Sequence, residues 1–205
     1  MIDTPLSAIA SPDELRAAEA KCQRCLLYRD ATQVVPGEGP RHPRIMLVGE
    51  QPGHEEDLEG RPFVGPAGRM LDRALVEAGL DRSKMFVTNA VKHFKFTMRG
   101  KRRLHKKPNA YEIDQCRWWL QMELAMTKPS VILAMGTTAA RGVLGRPVTI
   151  SKVRGHMLAA GSSRVIVTIH PSYLLRIPDP DAKAREYRDF VADLRTCAQL
   201  TKHSA

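Results

Sequence analysis

One histidine stands in a crowd of cations. In "TMRGKRRLHKKPNAYE", residues 97 to 112, His105 is surrounded by Lys101, Arg102, Arg103, Lys106 and Lys107. A run of like charge repels itself and attracts polyanions, and here it surrounds a single imidazole. Further polar chemistry sits in three short blocks. "GEQPG", residues 49 to 53, sets Gly49, Gly53 and a proline around Glu50 and Gln51, with Asp57 close behind. Such a turn lets backbone approach a ligand, and it presents two carboxylates and an amide; an ordinary solvated loop is the plain alternative. "TNAVKH" carries Asn89, whose amide offers a donor and an acceptor side by side, with a turn-forming asparagine as the plainer alternative. "IHPSYLL" carries His170 and Ser172; the histidine can hydrogen-bond a carbonyl from a fixed position, with a structural histidine as the alternative. Phe63, in "RPFVGPAGR", is suited to stacking on a planar ligand or to plugging the core.

The chain has four cysteines: Cys22, Cys25, Cys116 and Cys197. C-x-x-C spacing without a secretory signal points to a metal or redox site rather than to disulfides. Cys22, Cys25, Cys116 and His93 form a candidate ligand set for zinc or an iron–sulfur cluster. Widely scattered ligands suit a cluster at least as well as zinc. Cys197 falls on the apolar side of the last helix and reads as core, with a place as fourth ligand instead of His93 as the alternative.

The elements that must position these residues alternate between strand and helix. Helices are expected at 11–22, 66–80, 109–129, 137–145 and 180–200, and strands at 44–50, 84–91, 130–136 and 164–171. This order specifies an α/β fold of three layers, with a central, mostly parallel, four-stranded sheet. Ligands of such sheets bind beyond the carboxyl ends of the strands, and the blocks around Glu50, Asn89 and His170 all follow strands. The basic segment 97–109 reads as an inserted loop. The 205 residues suit one domain, 1–205, with an N-terminal helix carrying cluster ligands.

With 43% hydrophobic residues the chain is not of disordered type, and no apolar run reaches the roughly 18 residues that span a bilayer. A cytosolic protein is expected. The net charge of +10 makes nucleic acid the first candidate partner, with a merely basic surface as the alternative.

Together the blocks "GEQPGHEEDLEGRPFVGPAGRMLD", "VTNAVKH" and "HPSYLL" resemble, in order, segments of the iron–sulfur family 4 enzymes of the uracil-DNA glycosylase superfamily. The likeness runs from Cys22 to about residue 195. Two departures, Gln51 in place of a small residue and His93 in place of a cysteine, together with the basic loop, are similar to the UdgX subgroup. That subgroup carries "KRRIH" where this chain has "KRRLH", residues 101 to 105.

The resemblance implies excision of uracil from single- or double-stranded DNA by a monomer carrying a 4Fe-4S cluster, in the cytosol and on the nucleoid when bound. It implies phosphate contacts from Lys101, Arg102, Arg103 and Lys106, stacking by Phe63, reading of the uracil edge by Asn89, and donation to uracil O2 by His170. It further implies a covalent bond from His105 to C1′ of the abasic sugar, with Glu50 orienting the ring. Gln51 and Asp57 would position the loop, the water or the sugar. A conventional, turning-over glycosylase whose loop only grips DNA is the alternative; a non-catalytic binding module and a cluster-based oxidant sensor are weaker ones.

Overall fold

The computed structural model describes residues 9–202. Its sheet has five strands rather than four. Strands β1 (Ile45–Gly49), β2 (Phe86–Asn89), β5 (Val131–Met135) and β7 (Ser163–Thr168) run parallel, and β6 (Met157–Ala160) adds an antiparallel edge. The order is β2-β1-β5-β7-β6. Strand β6, "MLAA", escapes sequence reading because it is short, half-exposed and weakly apolar.

Alternate residues of the central strands face opposite helical layers, as the period of two requires. Leu47, Leu133 and Ile166 pack against α3 (Pro66–Glu77), α7 (Pro171–Leu174) and α8 (Pro180–Lys202). Met46, Ile132 and Val165 pack against α4 (Ala110–Thr127) and α5 (Thr137–Leu144). The strands β1 and β5 are buried along their whole length, so both read as continuous apolar runs.

Local chemistry sets the helix ends. Ser11 caps α1 (Pro12–Glu19) by accepting the Glu14 N–H, and Pro12 takes the first helical position. The helix stops at Glu19, short of the expected Cys22, and the chain turns there to bring the cysteines inward. Asn109 and Glu112 form a capping box on α4. Lys128 ends α4 with a φ of 47°, directly before Pro129.

Segment 97–109 is a hairpin, not a loop. Strands β3 (Phe96–Arg99) and β4 (Arg102–His105) pair antiparallel, with Phe96 opposite His105 and Arg99 opposite Arg102. Gly100, at φ 59°, takes the first central position of the two-residue turn, where a II′ turn calls for glycine. The short helices α2 (His54–Glu59) and α6 (Ile150–Val153) complete the elements named here. Among the described residues, no helix is long and apolar enough to cross a membrane.

Candidate active site

The carboxyl ends of β1, β2, β5 and β7 open into a cleft of about 980 Å³. Glu50, Gln51, Gly53, Phe63, Asn89, His105, His170 and Ser172 all line it, so the structure brings these expected site residues together. Register explains part of the convergence. Gly49 pairs with Asn89 across β1 and β2. A methyl group on Gly49 would stand 2.5 Å from the Phe63 ring and would also strike Asn89 Oδ1. Glycine is therefore required at 49 for the ring and the amide to share the cleft.

Phe63 holds a φ of 56°, a conformation bulky residues rarely adopt. Its carbonyl and that of Pro62 each accept from Arg82, at 3.1 and 2.9 Å, which stabilises the unusual turn. The ring lies 5.9 Å from the His170 ring at an interplanar angle of 29°. Phe63 is buried in the core and also lines the cleft.

Asn89 is buried, and its Oδ1 has no hydrogen-bond partner among the described residues. A buried polar atom without a partner costs stability unless a ligand supplies one. Its backbone carbonyl is fixed by the Lys92 Nζ at 3.0 Å. Lys92, fully buried, also pairs with Glu123 at 2.7 Å, which in turn accepts from Thr88 and from the Gly37 N–H. Sequence reading missed this buried pair; the only hint was a lysine set among apolar neighbours in "NAVKHF".

His170 caps α7. Its Nδ1 accepts the Ser172 N–H at 3.2 Å and meets the Ser172 hydroxyl at 2.8 Å. In the neutral ring the proton then sits on Nε2, leaving a donor. Burial pushes the His170 pKa down to about 4, with the Glu50 charge opposing and His105 and Arg176 assisting. Ser172 thus orients the histidine.

Glu50 and His105 meet with Oε1 3.2 Å from Nε2. The second oxygen of Glu50 accepts from the Thr138 hydroxyl at 2.6 Å. Burial alone would raise the Glu50 carboxyl; the bonds to His105 and Thr138 outweigh it and hold the pKa below the ordinary value. The His105 side chain is 49% exposed, so it faces the open cleft and is not buried in its basic surroundings.

Gln51 and Asp57 turn toward the hairpin. Gln51 Nε2 donates to the carbonyls of Lys95 and Lys106 at 3.0 and 3.2 Å, while its Oε1 accepts the Lys95 N–H at 3.1 Å. One amide thereby closes both feet of the hairpin. Asp57 accepts two bonds from the Thr32 N–H and a 2.6 Å bond from Arg103. Both side chains thus engage the hairpin, and Gln51 also lines the cleft.

Arg103 departs from the expected phosphate contact. Its guanidinium pairs with Asp57, meets Thr32 and His54, and lies 5.1 and 5.5 Å from the Phe96 and Phe94 ring centroids. These partners occupy the fork that a phosphate would need. Lys101, Arg102 and Lys106 remain exposed. Lys107, the last cation of the run, lines the cleft and donates to Thr137 at 3.0 Å.

Cys22, Cys25 and Cys116 share one buried cluster with Val91, Ile113 and Trp119. The Lys92 N–H donates to Cys116 Sγ at 3.1 Å and the Trp119 indole to Cys22 Sγ at 3.0 Å. Burial raises the Cys25 thiol and drives the Cys116 thiol further up. His93 is also buried, and burial pushes its pKa down to about 4, which leaves the neutral imidazole a metal ligand requires. Among the described residues, no three His, Cys, Asp or Glu side chains stand close enough to share one ion. A mononuclear zinc site needs all its ligands at about 2.0–2.3 Å from one centre. A four-iron cube binds each thiolate on a separate iron, and N–H···S bonds of the kind present here tune such clusters. Cys22, Cys25 and Cys116 thus share one buried site whose N–H···S bonds are compatible with cluster ligation. Cys197 lies in the other core, among Phe190 and Leu194 of α8, as its apolar position implied.

A family model described as the uracil DNA glycosylase superfamily matches residues 36–195. The type-4 uracil-DNA glycosylase of Thermotoga maritima is 41% identical over 158 residues, covering 76% of this chain and 79% of that one. Type-4 enzymes of Pyrobaculum aerophilum and Archaeoglobus fulgidus are 33% and 32% identical, covering 77% and 82% of this chain and 81% and 85% of theirs.

Proposed function

Since the chain belongs to the uracil-DNA glycosylase superfamily, we propose that it excises uracil from DNA and then holds the abasic sugar covalently through His105. The capture step is carried by one observation. A half-exposed imidazole stands 3.2 Å from a carboxylate inside the cleft that also holds Phe63, Asn89 and His170.

Uracil must leave the base stack before its glycosidic bond is reachable. In this reading Phe63 stacks on the flipped base. Asn89 Oδ1 accepts the N3–H, and its amide donates to O4. The Nε2–H of His170 meets O2, where negative charge builds as the bond from C1′ to N1 breaks and its electron pair leaves with the base. The oxocarbenium ion left at C1′ is captured by the lone pair of whichever His105 nitrogen Glu50 does not hold. The product is an imidazolium facing the Glu50 carboxylate. Lys101, Arg102 and Lys106 supply sequence-independent, salt-dependent grip on phosphates.

A 4Fe-4S cluster would be held by Cys22, Cys25 and Cys116, with His93 as the fourth ligand. Its contribution is structural: it ties the segment after α1 to α4 and to the turn that carries Lys92. The protein would act as a single-domain monomer on DNA in the cytosol. This behaviour corresponds to the UdgX subgroup that the "KRRLH" segment and Gln51 resemble.

The test is a labelled uracil-containing single-stranded oligonucleotide mixed with the protein, boiled in SDS and run on a gel. A uracil-dependent band at the summed mass is expected, absent with thymine and absent with His105→Ala. Free abasic product without that band would reduce the reading to a conventional glycosylase.

A further inference from the structure

Thr138 carries no sequence signal beyond its place at the start of a helix. It is the second residue of α5, is 1% exposed, and reaches Glu50 across the sheet. The topology makes the contact possible. Strands β1 and β5 are parallel neighbours with Val48 opposite Ala134. Beyond that pair the chain reaches Glu50 on one strand and, after Gly136 at φ 92°, Thr138 on the other.

The hydroxyl has one proton to give. A threonine deeper in a helix commonly donates to the carbonyl four residues back. For Thr138 that residue is Ala134, which lies in β5 and not in a helix. The proton goes to Glu50 Oε2 at 2.6 Å instead. One carboxylate oxygen is thereby fixed, and only Oε1 is left to face His105.

We infer that Thr138 is a positioning residue for the capture step, holding Glu50 so that Glu50 holds the His105 ring. The inference rests on the capture reading above. Without the hydroxyl, the carboxylate is free to rotate and loses a bond that favours its ionised form. The two ring nitrogens of His105 are then no longer distinguished by a fixed partner, and fewer encounters present a lone pair to C1′. The effect should fall on the ratio of captured to released product.

The experiment compares the full chain with Thr138→Val and Thr138→Ser, each with its melting curve. Single-turnover reactions on the uracil oligonucleotide give the fraction of excised sites that become SDS-stable. The Glu50 carboxyl is titrated in parallel by NMR of ¹³C-glutamate-labelled protein, assigned with Glu50→Gln. We expect the valine variant to lower the captured fraction roughly tenfold, as loss of a charged-group hydrogen bond implies, and to raise the Glu50 midpoint. Serine should restore both. A valine variant with the parent's ratio and the parent's titration would overturn the inference. If the parent protein forms no adduct, the capture reading fails. The titration then decides alone: a raised midpoint in valine, rescued by serine, upholds the Thr138–Glu50 linkage, and an unmoved one overturns it.

Discussion

Asp57 and Arg103, 46 residues apart in the chain, meet at 2.6 Å with the carboxylate fully buried. The pair anchors the hairpin to the body of the fold, and the stack of Arg103 on Phe94 and Phe96 completes the anchor. Removing one partner of a buried pair leaves an uncompensated charge. Asp57→Ala should therefore lower stability by about 3 kcal/mol in urea unfolding and should weaken capture. A variant as stable as the parent would mean that the pair is dispensable.

Gln51 uses donor and acceptor on three backbone groups at the hairpin's feet. Gln51→Glu would set an oxygen against the carbonyls of Lys95 and Lys106. The loss of two bonds, roughly 1–3 kcal/mol, should appear as faster amide exchange at residues 95–106 and as reduced adduct on the gel. Unchanged exchange there would show that the hairpin closes without it.

Asn89 is the residue expected to tell uracil from cytosine, because an amino group at position 4 would meet its donor. Asn89→Asp keeps the shape and removes that donor. Single-turnover release of uracil should fall by roughly a hundredfold, with DNA affinity little altered in a salt-matched binding assay. Equal loss of both would point to misfolding of the β2 end.

The pH dependence has a definite sign. Burial holds the folded His170 pKa at about 4, against 6.5 for an unperturbed ring. The unfolded chain therefore binds the extra proton first. The stability contributed by the neutral ring is complete above pH 6.5 and is lost as pH falls from 6.5 towards 4. Uracil release should show no limb near 6.5 from this residue, and the native-state ring titration by NMR should lie well below it. A midpoint near 6.5 would show that burial does not hold this ring neutral in mild acid.

The thiol site gives a chemical readout. Anaerobically purified protein should be brown with about four irons per chain, and Cys116→Ser should lose iron and melt earlier. Colourless protein that contains zinc would exclude the cluster.

The layered fold was legible because β1 and β5 are unbroken apolar runs, because β7 holds the apolar triplet Val165 to Val167, and because Ser11, Asn109 and Pro129 punctuate the helices. Convergence of Glu50, Asn89 and His170 followed from one rule about strand ends. The hairpin was not legible: its short strands carry Arg99, Arg102 and Arg103, their apolar signal is thin, and Gly100 reads equally as a loop residue. Arg103 shows the limit of charge counting. Its type announced attraction to anions, but its partner is a carboxylate 46 residues away, which no local pattern discloses. Thr138 was invisible for a related reason, since a threonine opening a helix is ordinary until a neighbouring strand brings a glutamate to it.

The feet of the hairpin, Lys95 and Lys106, are joined by the Lys106 N–H to the Lys95 carbonyl at 2.9 Å and bridged by the Gln51 side chain. The chain between them runs out along the rim of the cleft and returns to nearly the same point, held on the way by the Arg103–Asp57 pair. The segment from 96 to 105 is thus a cassette with a natural suture line. Shortening it to a tight turn would withdraw His105 from the cleft without redrawing the sheet, and a scaffold accepting it as a graft would have to supply an amide for its feet and a carboxylate for Arg103.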